Sequence, residues 1–241
     1  MSFLTPTLFL LGLNAVLANT FTYKPAVSNE EFPWFCTVYD NEDFRPVCYC
    51  TILSKNAILT ATRCFKNKDI RNTDEPKYHV RFGSIAENSL RKLTHVKEIV
   101  SSGNQHFIIL RPKVPIEGYH AIELNESQFK TPDQITIATF NSYGSQDLMK
   151  SQVYMVTTKL SKDPKSCEFS YPYHFCAVES NNRCNIGLGA GAVSQSPRNS
   201  SRWMLHGVAV QSRKCDGDPK HADLFVKIDT DQWNWIKHNL N

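Results

Sequence analysis

The sequence has no long apolar run: the longest, Leu8 to Ala18, is about half the roughly 20 residues that a membrane-spanning helix needs. Glycine is scarce, at 10 of 241 residues. With 12 scattered prolines and no repeated unit or low-complexity tract, collagen-like, linker-like and solenoid readings fall away. Neither sign of charge dominates. The formal net charge of +4 is too mild a bias to imply a nucleic-acid partner. At 41% hydrophobic and 21% charged residues, the composition is that of a folded globular protein rather than a disordered chain. A chain of this length forms one large domain or two small ones and buries roughly 70% or more of its unfolded surface, so its core does not depend on covalent staples.

Cysteine, by contrast, is plentiful, with 8 residues to account for. The apolar run ends in the small residues Val16 and Ala18, the pattern of a secretory signal peptide cleaved after Ala18, although no Lys or Arg precedes it. A membrane anchor is the competing reading, and the run is too short for it. Secretion places the cysteines in an oxidising compartment, where an even count points to four disulfides. Zinc is the alternative. Cys48 and Cys50 are one residue apart and no CxxC pair or His at ligand spacing accompanies them, so neither a metal nor a cofactor is expected. Two sequons, Asn125-Glu-Ser127 and Asn199-Ser-Ser201, offer glycosylation sites in polar, turn-like stretches.

Short β-rich runs recur along the chain: Phe35 to Tyr39, Ile52 to Leu59, Tyr78 to Phe82, His106 to Leu110, Ile135 to Phe140, Tyr154 to Leu160, Met204 to Val210 and Leu224 to Ile228. Turn-rich clusters such as Asn141-Ser-Tyr-Gly144 and Asp216-Gly-Asp-Pro219 separate them, and this spacing predicts an all-β barrel or sandwich. Only the C-terminus departs from it. Asp229 and Asp231 offer caps, and Trp233, Ile236, Lys237 and Leu240 fall on one helical face, so a short amphipathic helix closes the chain.

Several ordered motifs then carry a resemblance. Glu31-Phe-Pro-Trp34 is similar to "EFPW", Cys48-Tyr-Cys-Thr-Ile-Leu-Ser54 to "CGGTLIS" and Ala57-Ile-Leu-Thr-Ala-Thr-Arg-Cys64 to "WVLTAAHC". Farther on, His106-Phe-Ile-Ile-Leu-Arg111 resembles "DIALLR", His174-Phe-Cys-Ala177 "MFCAG", Gly207-Val-Ala-Val210 "GIVS", and Leu224-Phe-Val-Lys-Ile228 "VYTKV". Together they resemble a chymotrypsin-like (trypsin-family) serine protease domain over nearly all of the mature chain. The resemblance implies two six-stranded antiparallel β-barrels, the first over about 21–120 and the second over about 121–230, with a C-terminal helix over about 231–240.

The same register removes the chemistry. Serine proteolysis needs a nucleophilic hydroxyl, an imidazole to take its proton and a carboxylate to orient that imidazole. Where "AAHC" has its histidine stands Arg63, whose guanidinium has no acceptor. The Asp of "DIALLR" is His106, and "GDSGGP" becomes Gly187-Leu-Gly-Ala-Gly-Ala192, so its serine is Gly189. Cys184-Asn-Ile-Gly187 carries one residue more than "CxG" in this register, but Cys184 to Val193 contains no Ser or Thr in any register. The Asp that pairs with the freed amine of an activated protease is Leu188, and Phe21-Thr-Tyr-Lys24 stands for "IVGG" after Thr20, so no buried N-terminal amine is expected.

The specificity pocket also differs. Asn182 replaces the trypsin-like Asp, Val210-Gln211-Ser212 replaces the "SWG" wall, and Asp223 replaces a Gly with Arg183 beside it. Either Arg183 or Lys214 pairs with Asp223 and fills the pocket, or the pocket has drifted out of use. The family pattern implies disulfides Cys48 with Cys64, Cys167 with Cys176 and Cys184 with Cys215. The remaining Cys36 and Cys50 flank a turn almost symmetrically, which an antiparallel hairpin would bring to bridging distance. Lys66, Lys68 and Arg71, and then Arg91, Lys92, His95 and Lys97, read as solvated basic loops or a sulfated-glycan surface. Either Arg63 with His106 makes a cationic cleft for an acidic peptide, or His106 is an ordinary hydrogen-bonded core residue.

The expectation is a secreted, extracellular pseudo-protease that is not an enzyme and acts by binding a protein partner. That partner is an active serine protease, a zymogen or an inhibitor, and the chain serves as its cofactor, decoy or regulator. The alternative is an extracellular recognition module for a cell-surface, sperm-surface or microbial ligand. A hydrolase with another nucleophile and a purely structural component are the remaining classes.

Overall fold

The computed structural model describes residues 22–25, 32–43, 45–65, 77–83, 92–101, 106–119, 122–124, 132–140, 153–160, 173–177, 187–196, 199–211 and 223–241. Its strands are β1 (Thr22–Pro25), β2 (Phe35–Asp40), β3 (Pro46–Ser54), β4 (Ala57–Ala61), β5 (Tyr78–Phe82), β6 (Lys92–Val100), β7 (Phe107–Pro112), β8 (Gln134–Phe140), β9 (Val153–Lys159), β10 (His174–Ala177), β11 (Gly191–Ser196), β12 (Asn199–Gln211) and β13 (Asp223–Lys227). A C-terminal helix, α1 (Thr230–His238), follows. Among the described residues the structure is therefore all-β apart from α1 and one 3-10 turn at Thr62–Cys64.

Two sheets form. β2-β3-β4-β7-β6-β5 close into a six-stranded antiparallel barrel. The second sheet runs β1-β9-β8-β11-β12-β13-β10, and an antiparallel bridge from Leu160, just beyond β9, to Ala177 of β10 brings its two sides together into a second six-stranded barrel. β1 adds to the outer side of β9, so the N-terminal strand belongs to the second sheet although chain order groups it with the first barrel.

The patterns that build the first barrel are plain β chemistry. β4 and β7 are fully buried along Ala57 to Ala61 and Phe107 to Leu110 and apolar there except for Thr60, as befits adjacent strands walled by neighbours on both sides. The Ile52 to Leu59 run is two strands, β3 and β4, that turn at Lys55 and Asn56. β6 corrects the sequence reading. Lys92, His95 and Lys97 lie not in a solvated loop but in a barrel strand, Lys92 exposed at its start and His95 and Lys97 on its outer face, with Thr94 and Val96 pointing inward. Thr94 tolerates burial because its hydroxyl donates to the Val114 carbonyl at 3.0 Å.

Cys36 and Cys50 are directly opposite in the β2–β3 ladder, with Cα atoms 4.8 Å apart, and are disulfide-bonded; Cys48 and Cys64 are bonded as well, with Cα atoms 5.9 Å apart. Cys176 is disulfide-bonded, while Cys167, Cys184 and Cys215 lie outside the described residues. One core cluster spans both sheets, and a second, centred on Ile135, Ile137, Phe175 and Phe225, lies within the second sheet. Phe32, Trp34 and Trp203 meet with ring centres 5.6 to 5.8 Å apart, joining the turn that leads into β2 to β12. No helix among the described residues is long and apolar enough to cross a membrane.

Candidate functional site

The backbone brings three of the sequence-marked positions to the seam between the sheets. β4 and β7 pair with Ala61 opposite Phe107, which sets the 3-10 turn carrying Arg63 beside His106. The Thr62 amide donates to the His106 carbonyl at 2.8 Å and fixes that approach. Arg63 and His106 are both exposed, so His106 is not a core residue. At the first position of β10, half-buried His174 stands edge-on to His106, ring centres 5.2 Å apart at 65°. Burial, and then the charge of His106, lower the His174 pKa below its ordinary value.

The third position lies in the turn Gly187–Ala190 that enters β11, a turn held from both sheets. The Tyr49 amide donates to the Leu188 carbonyl at 2.8 Å from the first barrel, and the Gly189 amide donates to the Ala209 carbonyl at 2.8 Å in the second. Ala209 returns a bond to the Ala190 carbonyl at 2.9 Å. Gly189 has φ +82°, and a Cβ there would overlap the Tyr49 carbonyl oxygen and the Thr60 hydroxyl. This backbone therefore requires glycine. The Thr60 hydroxyl beside it is fully buried and donates to the Tyr49 carbonyl at 2.7 Å, so it is committed to structure.

Tyr49 completes the arrangement and was not singled out by the sequence reading. It replaces the first glycine of "CGG", and its ring lies where a Cβ on Gly187 would be, with Phe35 against it at 5.6 Å. An aromatic in place of a motif glycine was the available signal. His174, in place of the Met of "MFCAG", was another. Leu188 is half-buried and packs on the core.

Of the pocket residues, Asp223 opens β13 opposite Ala177 and is buried to 1% exposure, and Gln211 ends β12, half-buried, opposite Leu224. Asn182, Arg183 and Lys214 lie outside the described residues, as do Asn125 and the chain before Thr22. Asn199 is exposed at the start of β12, where it pairs with Ser196 in the β11–β12 hairpin. No group of three or more His, Cys, Asp or Glu able to hold a metal occurs among the described residues.

A sequence model of the trypsin family matches residues 24–236, the span of both sheets and most of the terminal helix. No curated protein matches the chain.

Proposed function

The chain belongs to the trypsin family, and from that premise we propose that it is a secreted pseudo-protease that acts by binding a protein. The observation that carries this reading is the turn Gly187–Ala190. It sits where the family's nucleophile belongs, it has no hydroxyl, and its backbone at Gly189 admits no side chain. Counting from Cys184 without a gap assigns the nucleophile's position to Leu188 and the following glycine to Gly189. The left-handed backbone of Gly189 favours that register. In either register the hydroxyl is missing. Arg63 offers no base and His106 no carboxylate, so the relay that would activate a nucleophile has none of its three parts.

Other features support the same reading. Where Gly189 takes the nucleophile's place, its amide, a natural oxyanion donor, is instead committed to the Ala209 carbonyl. The family resemblance puts Asp223 where a substrate side chain would enter; Asp223 is buried, and a buried carboxylate requires a counter-charge or hydrogen bonds, a role we propose for Arg183 or Lys214. Bonded cysteines and the Leu8 to Ala18 leader fit an oxidising, extracellular setting.

The test has two steps. The purified mature protein is treated with a fluorophosphonate probe and with mixed peptide substrates, and neither labelling nor turnover is expected; labelling of any residue overturns the reading. Cross-linked affinity capture from the native extracellular fluid then identifies the partner. An active protease, its zymogen or an inhibitor is the expected result. Capture of cell-surface, sperm-surface or microbial components alone replaces the cascade role with recognition.

A further inference from the structure

Where the family would hold one carboxylate, this chain brings two imidazoles together. His106 is fixed by the Thr62 amide bond at the head of β7, and His174 by its place opposite Val226 in the β10–β13 ladder, so two rigid elements present the rings to each other. Their centres are 5.2 Å apart. Two imidazole nitrogens bound to one tetrahedral metal at about 2.0–2.1 Å place their ring centres about 5 Å apart, the separation found here.

We infer that His106 and His174 form a two-imidazole site for a divalent transition metal, Cu²⁺ or Zn²⁺, in the degenerate cleft. The exposed ring of His106 gives the ion access from solvent, and half-buried His174 anchors it. No third His, Cys, Asp or Glu joins the pair among the described residues. The site accordingly keeps open positions for water or for a carboxylate or imidazole of a bound protein, and binding is moderate and exchangeable rather than structural. Arg63 is exposed, so its repulsion of the ion is screened by solvent. Cu²⁺ binds more tightly than Zn²⁺, following the general order for nitrogen ligands.

The test uses the mature chain without an affinity tag, titrated calorimetrically with CuCl₂ and with ZnCl₂. One ion per chain is expected, with Cu²⁺ in the micromolar range and an electron paramagnetic resonance spectrum showing two coupled nitrogens. His106→Ala, at an exposed position, weakens binding by at least about tenfold while leaving the melting temperature unchanged, and His238→Ala leaves binding intact. His174→Gln gives the same loss if it folds, and His106→Ala decides the matter if it does not. Undiminished binding in His106→Ala, or no saturable binding of either metal to the parent, overturns the site.

Discussion

At the scale of single residues, the most constrained position is Gly189. Its φ of +82° and its contact with the Tyr49 carbonyl and Thr60 hydroxyl leave a side chain nowhere to go without moving the first barrel's backbone. Gly189→Ala is therefore expected to destabilise the protein by roughly 2–4 kcal/mol, combining an unfavourable left-handed backbone with overpacking, read as a lowered urea midpoint at unchanged slope. Restoring Arg63→His and His106→Asp together with Gly189→Ser should give a poorly folded protein. The same pair with Leu188→Ser should fold, yet remain unlabelled by fluorophosphonate because Tyr49 and the buried Asp223 persist. The missing triad groups are legible in the sequence because each stands inside a recognisable motif. That Gly189 is demanded by geometry, that Tyr49 packs on Gly187, and that His174 meets His106 are not. These depend on contacts between residues far apart in the chain, and spacing along a strand does not encode them.

Among whole elements, α1 shows what local sequence can specify by itself. Asp229 accepts from the amides of Asp231 at 3.0 Å and Gln232 at 3.2 Å, and the Gln232 side chain accepts from the Asp229 amide at 3.3 Å, closing a capping box. Trp233 and Ile236 are buried on one face, and Lys237 lies over the Trp233 ring and, with His238, complements the helix dipole. Because every part of this signal lies within one turn, the helix can be read from its residues. Asp229→Ala should lower stability by about 1 kcal/mol and fray the helix, a change visible as faster amide exchange at Asp231 and Gln232. β6 is the opposite case. It puts Thr94 inside and Leu93 outside at 48% exposure, so its hydrophobic pattern contradicts its burial. Only pairing with β5 and β7 and the Thr94 bond to Val114 make it a strand, and those partners come from elsewhere in the chain.

Across the whole molecule, buried His79 in one sheet and half-buried His206 in the other make stability depend on pH. In the first barrel, His79 is stacked on Tyr39 at 5.3 Å, its Nδ1 bonds Asn41 Oδ1 at 2.7 Å, and its Nε2 accepts from Arg81 Nε at 3.2 Å. In the second, His206 Nε2 bonds the Ser194 hydroxyl at 2.8 Å. Burial lowers the pKa of both from 6.5 to about 4; for His79 the charges of Arg81 and His95 add to that, against Asp40. Between those limits the unfolded chain binds more protons than the folded one. The stability these residues contribute is thus complete above about pH 6.5 and is lost progressively as pH falls toward about 4. At pH 5 the loss relative to pH 7.5 should be roughly 1–2 kcal/mol for each histidine, since one pKa unit corresponds to about 1.4 kcal/mol. Urea unfolding across this range checks the total, and His79→Gln or His206→Gln should each flatten part of the slope. A slope unchanged in both variants would assign the acid sensitivity to other groups. A neutral imidazole that accepts from Arg81 cannot do so once protonated, so acid should loosen the first barrel at the β2–β5 pair, read as faster amide exchange there.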